Sequence, residues 1–146
     1  MGKQPASSTT ASELAFLQIL WTASRPLNKQ EILEKAGGDH PMFAKNSFHL
    51  LANELIAKGY LVAIDNGGIG RKNARRYAPT VSRNEYLALQ IHSAKGYSAL
   101  DIPDILSALL KLSSGANLEP VLAGIEQVIA KRQREKDAES PAYDQP

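Results

Sequence analysis

The stretch AKNSFHLLANELIAKGYLVAIDNGGIGRKNARRYAPT, residues 44 to 80, restricts the possible folds more than any other part of the chain. Phe48, Leu51, Ala52 and Leu55 recur at the spacing that gathers them into one buried helical stripe. Asn46 is a start signal for this helix, and Lys58-Gly59 a stop, because glycine accepts the left-handed cap conformation without a Cβ penalty. Tyr60 to Ile64 favours a strand. Asp65-Asn66-Gly67-Gly68 supplies turn chemistry, and Arg76-Tyr77-Ala78 can return as a second strand.

A helix, a tight stop and a hairpin with a basic tip, in that order, predict a winged helix-turn-helix. The helix face opposite the stripe carries Asn46, His49, Leu50 and Asn53, with Lys45 and Ser47 near its start. Amides, hydroxyls and long cations hydrogen-bond base edges and phosphates, so these six residues are the candidates for groove contact. Arg71, Lys72, Arg75 and Arg76 on or beside the wing are candidates for backbone or minor-groove contact. Charge is concentrated accordingly. Residues 45 to 83 hold seven Lys/Arg against two acids, a net +5, which leaves −3 for the rest of a chain whose total is +2. Two residues of this face have open alternatives. His49 is a groove contact or a plain surface histidine, and Leu50 meets a thymine methyl group or packs against the second helix.

Upstream, Thr10 and Glu13 have capping-box spacing, and Leu14, Leu17, Ile19, Leu20 and Trp21 build a short apolar helix that Arg25-Pro26 ends. Asn28 and Glu31 open a second helix with Ile32 and Leu33 inward, closed by Gly37-Gly38. Downstream, Ser82 and Glu85 cap a fourth helix that Gly96 ends. Asp101 to Asp104 starts a fifth, and Asn117 or Leu118 a sixth. The expected organisation is mainly α with a small β-hairpin: a winged helix-turn-helix over residues 10–80, then a helical dimerisation region over 81–131. Residues 1–9 and 132–146 are expected to be disordered tails.

Three amphipathic helices after a complete domain need a cover for their apolar faces, and a second copy is the reading adopted. Leu87, Ile91, Ile105, Leu106, Leu109, Leu110, Leu122, Ile125 and Ile129 are the candidate dimer contacts.

Composition narrows the function classes. Without cysteine there is no disulfide, thiolate metal site or cysteine nucleophile. His40, His49 and His92 lack metal-ligand spacing, and Gly67, Gly68 and Gly70 lack the pattern of a phosphate-binding loop. The expectation is a protein that is no enzyme and takes neither cofactor nor metal. No apolar run approaches the ~18 residues of a membrane span, and a cytoplasmic location is expected. Two functions remain: a DNA-binding regulator acting on double-stranded DNA as a homodimer, or an interaction module whose basic wing meets an acidic protein. Recovery of a two-fold symmetric site from random duplexes separates them.

Four stretches in order resemble the penicillinase-repressor family of winged-helix regulators: SELAFLQILW (12–21), PLNKQEIL (26–33), NSFHLLANELIAKGYL (46–61) and RRYAPTVSRNEYL (75–87). The resemblance spans about residues 12 to 130 and implies a dimeric repressor on a palindromic operator. It also has gaps. The Asn-Phe bond at which protease-controlled members are cut is absent, as are the cysteines of copper-responsive members and the aromatic-Gly-Gly feature of the arm. The resemblance therefore implies a repressor and says nothing of what relieves repression.

Overall fold

The computed structural model describes residues 8–37, 42–65 and 75–139. Within them the chain is mostly helical with a small antiparallel sheet, and it divides into two compact units, one up to Tyr97 and one from Ser98.

In the first unit, α1 (Ala11–Ala23) opens with the expected capping box. Thr10 Oγ1 accepts from the Glu13 amide at 3.1 Å while Glu13 Oε1 accepts from the Thr10 amide at 2.9 Å. Phe16, Leu17, Ile19 and Leu20 are its buried face, whereas Leu14 lies partly open. The strand β1 (Leu27–Asn28) leads directly into α2 (Lys29–Ala36), whose box is formed by Asn28 and Glu31. A 3-10 turn (Lys45–Ser47) precedes α3 (Phe48–Lys58). Asn46 therefore does not cap α3. Ser47 holds the cap position without a side-chain hydrogen bond, and the turn itself satisfies the first amides. The far end follows the sequence: Gly59 takes φ 90°, and Tyr60 N–H reaches back to Leu55 O at 2.9 Å.

The hairpin strands β2 (Leu61–Ile64) and β3 (Arg76–Pro79) pair antiparallel, from Leu61 opposite Pro79 to Ile64 opposite Arg76. β1 adds to the other edge of β3, with Leu27 opposite Tyr77 and Asn28 opposite Arg76, so the sheet order is β1-β3-β2. The sequence reading contained only the hairpin. A two-residue strand has no periodicity of its own, and long-range pairing alone defines it.

Phe16, Phe43, Phe48 and Tyr77 form the aromatic centre, with Phe16–Phe48 centroids at 5.4 Å and Phe48–Tyr77 at 5.5 Å. Burying four rings against one another favours a single arrangement of α1, α3 and the hairpin. Finally α4 (Arg83–His92), capped by Ser82 and Glu85, lays Tyr86 against Trp21 at 5.5 Å and Tyr60 at 5.4 Å. The Trp21 indole N–H donates to Val81 O at 2.9 Å, and Thr9 Oγ1 lies 2.7 Å from Tyr86 Oη. By its contacts α4 therefore packs on the first unit. It ends at His92, short of Gly96, which takes φ 84° in the following turn.

The second unit opens on a short 3-10 turn capped by Ser98. α5 (Ile102–Leu112) has Pro103 in its first turn, where a missing N–H costs nothing. In α6 (Glu119–Glu139) the first amide donates to Asn117 Oδ1 at 3.2 Å. α6 continues past residue 131 because its mixed charges stay compatible with helix; Arg132 and Glu135 pair at 3.5 Å one turn apart. None of the described residues in α5 or α6 is buried. Ile102, Ile105, Leu106 and Leu109 share one side of α5, and Val121, Leu122, Ile125, Val128 and Ile129 one side of α6. Leu109 is 51% exposed. Among the described residues, no helix is long and apolar enough to cross a membrane.

Candidate nucleic-acid interface

Helix α3 is fastened along one buried stripe and at both ends, which fixes what its open side presents. Phe48, Leu51, Ala52 and Leu55 are buried, with Phe48 clamped between Phe16 and Tyr77 at the start of the helix. At the other end Lys58 Nζ lies 2.6 Å from Glu13 Oε1, the carboxylate that also caps α1. The outward row of α3 is then His49, Leu50 and Asn53, with Asn46 in the preceding 3-10 turn, and all four are exposed. Leu50 is 64% exposed, so packing against α2 does not account for it. Lys45 is exposed and Ser47 half-buried, both in the 3-10 turn that feeds this face.

The wing candidates divide. Arg75 and Arg76 lie at the base of the hairpin, while Arg71, Lys72, Gly67, Gly68 and Gly70 fall outside the described residues, as does His40. Arg75 Nε donates to Asp65 Oδ1 at 3.3 Å, a contact that, with Tyr77, raises the guanidinium's pKa. Arg76 Nη1 stands 4.0 Å from Glu31 Oε1, and Arg25 reaches the other oxygen of that carboxylate at 3.1 Å. The Asn28 backbone N–H, then Arg25, hold the Glu31 carboxyl below its ordinary value. Glu31 thus links the start of α2 to the return strand of the wing, and both arginines keep much of their surface open to solvent.

Two corrections to the charge map follow. Lys58 was counted with the phosphate-facing cations, yet it is spent on the Glu13 pair at the C-terminal end of α3. Lys29, outside the counted segment, lies instead beside the exposed face of α3. It is the first residue of α2, and its Nζ lies 3.2 Å from His49 Nε2 and 5.6 Å from the centre of the Phe48 ring. A contact across 20 residues has no signature in local sequence.

Helices α2 and α3 in succession, the second with an exposed row, and an antiparallel hairpin after them fit the layout of a winged helix-turn-helix protein. The model of the family described as penicillinase repressor matches residues 9–127, and the chain belongs to that family. Its members are DNA-binding transcriptional regulators and not enzymes, and this chain is a transcriptional repressor of that kind. Comparison with curated proteins found no match.

Proposed function

We propose that the chain represses transcription as a homodimer on a two-fold symmetric operator, with α3 in the major groove and the wing on the flanking backbone. The observation that carries this reading is the exposed row His49, Leu50 and Asn53, with Asn46 just before it, on a helix anchored by its opposite stripe. Amide side chains pair with adenine edges, and an exposed leucine suits a thymine methyl group. Lys45 and Ser47 at the helix start, with Arg71, Lys72, Arg75 and Arg76 of the wing, would supply phosphate contacts that set register without reading sequence.

Dimerisation would cover apolar side chains that the monomer leaves open. Leu87 and Ile91 on α4, Ile105, Leu106, Leu109 and Leu110 on α5, and Leu122, Ile125 and Ile129 on α6 are all exposed or half-buried. Contiguous apolar faces of this kind mark interaction surfaces. A repressor of this kind would act in the cytoplasm, a reducing compartment that the lack of cysteine suits. Selection from random duplexes tests the proposal. It should recover a site with two inverted half-sites about one helical turn apart. Recovery of no sequence preference would overturn it in favour of an acidic protein partner for the wing.

A further inference from the structure

Lys29 and His49 sit on different helices, and their contact has only one hydrogen-bonding solution. An ammonium group donates and cannot accept, so at 3.2 Å the His49 Nε2 must be the acceptor. A neutral imidazole that accepts at Nε2 carries its proton on Nδ1. The Lys29 ammonium also lies over the Phe48 ring, 5.6 Å from its centre. Among the described residues no acceptor meets Nδ1.

We infer that Lys29 is a specificity-determining positioning residue: by fixing His49 as the Nδ1–H tautomer, it makes that imidazole a hydrogen-bond donor to an acceptor on a base edge. Purine N7, guanine O6 and thymine O4 are the acceptors of the major groove, so one base pair of the site is read through an α2–α3 pair rather than by α3 alone. The inference rests on the reading of α3 as the helix that enters the groove. Lys29 itself need not touch DNA.

Both residues are exposed, so substitution leaves the core intact. The variant Lys29→Met keeps the aliphatic stem and removes the donor. Nitrogen-15 NMR of the neutral imidazole, recorded without DNA, should show Nδ1–H for His49 in the native protein and its loss in Lys29→Met. Titrations against the selected operator and against duplexes changed one base pair at a time should show Lys29→Met losing about five- to tenfold of its preference at a single position. His49→Ala should lose preference at the same base pair, and adding Lys29→Met to it should cost nothing further there. An Nε2–H tautomer in the native protein overturns the inference. So does an equal loss for Lys29→Met on every duplex, which would make Lys29 a plain phosphate contact. A native protein with no preference for any duplex would instead defeat the recognition-helix reading, whatever the tautomer.

Discussion

Replacing Lys58 with methionine tests how α3 is held. Glu13 is only 3% exposed, and its Oε1 accepts from both Lys58 Nζ at 2.6 Å and the Thr10 amide at 2.9 Å. Without Lys58 the buried carboxylate keeps one neutral donor. Breaking a fully buried pair costs roughly 3–5 kcal/mol, because a charge is left without compensation. The Lys58 side chain is 25% exposed, so water already offsets part of the interaction, and about 2–3 kcal/mol is the expected loss. For a unit of this size that lowers the melting temperature on the order of 10–20 °C. The assay is urea denaturation followed by fluorescence of the chain's one tryptophan, Trp21, which lies in the first unit. Adding Glu13→Gln should return part of the loss, since a neutral amide needs no counter-charge. A loss below about 0.5 kcal/mol would show an ordinary surface pair and refute the reasoning. Lys58→Met should also leave the salt dependence of DNA binding unchanged. A slope smaller by about 1 would show that Lys58 contacts a phosphate after all.

Three further outcomes are expected. Leu106→Asp or Leu109→Asp should yield monomers with sharply weakened operator binding, since an unpaired carboxylate in an apolar interface costs several kcal/mol; sedimentation of an unchanged dimer would place the interface elsewhere. Glu31, held below its ordinary value of 4.5 chiefly by the Asn28 amide and Arg25, stabilises the fold above the unfolded carboxyl's pKa and loses that contribution as pH falls through its own lowered value. Glu31→Gln should therefore be destabilising near neutral pH and nearly neutral in effect in strong acid, by urea denaturation at both. Arg75→Ala should weaken operator and random duplexes alike and reduce the salt slope by about 1 in titrations at several salt concentrations.

Local chemistry made much of this fold readable. The capping boxes at Thr10–Glu13, Asn28–Glu31 and Ser82–Glu85 all form, since each needs only side chains three residues apart. The stripe of α3 and its Gly59 stop are equally local. What escaped depends on distant partners. Asn46 has the composition of a helix cap, but the preceding 3-10 turn moves the helix start to Phe48. The β1 strand exists only because Leu27 and Asn28 meet Tyr77 and Arg76. The contacts of Lys58 and Lys29 escaped for the same reason: one finds Glu13 across 45 residues, the other His49 across 20. Periodicity could show which faces of α5 and α6 are apolar, but what covers them leaves no trace in the spacing.

The central claim is that α3 reads sequence and the wing supplies affinity. The direct measurement is a titration of the native protein and Asn53→Ala against the selected operator and a random duplex, each at several salt concentrations. Asn53→Ala should lose roughly 1–3 kcal/mol on the operator and little on random DNA, with the salt slope unchanged. Equal losses on both duplexes, or none on either, would contradict the account and move the recognition surface off α3.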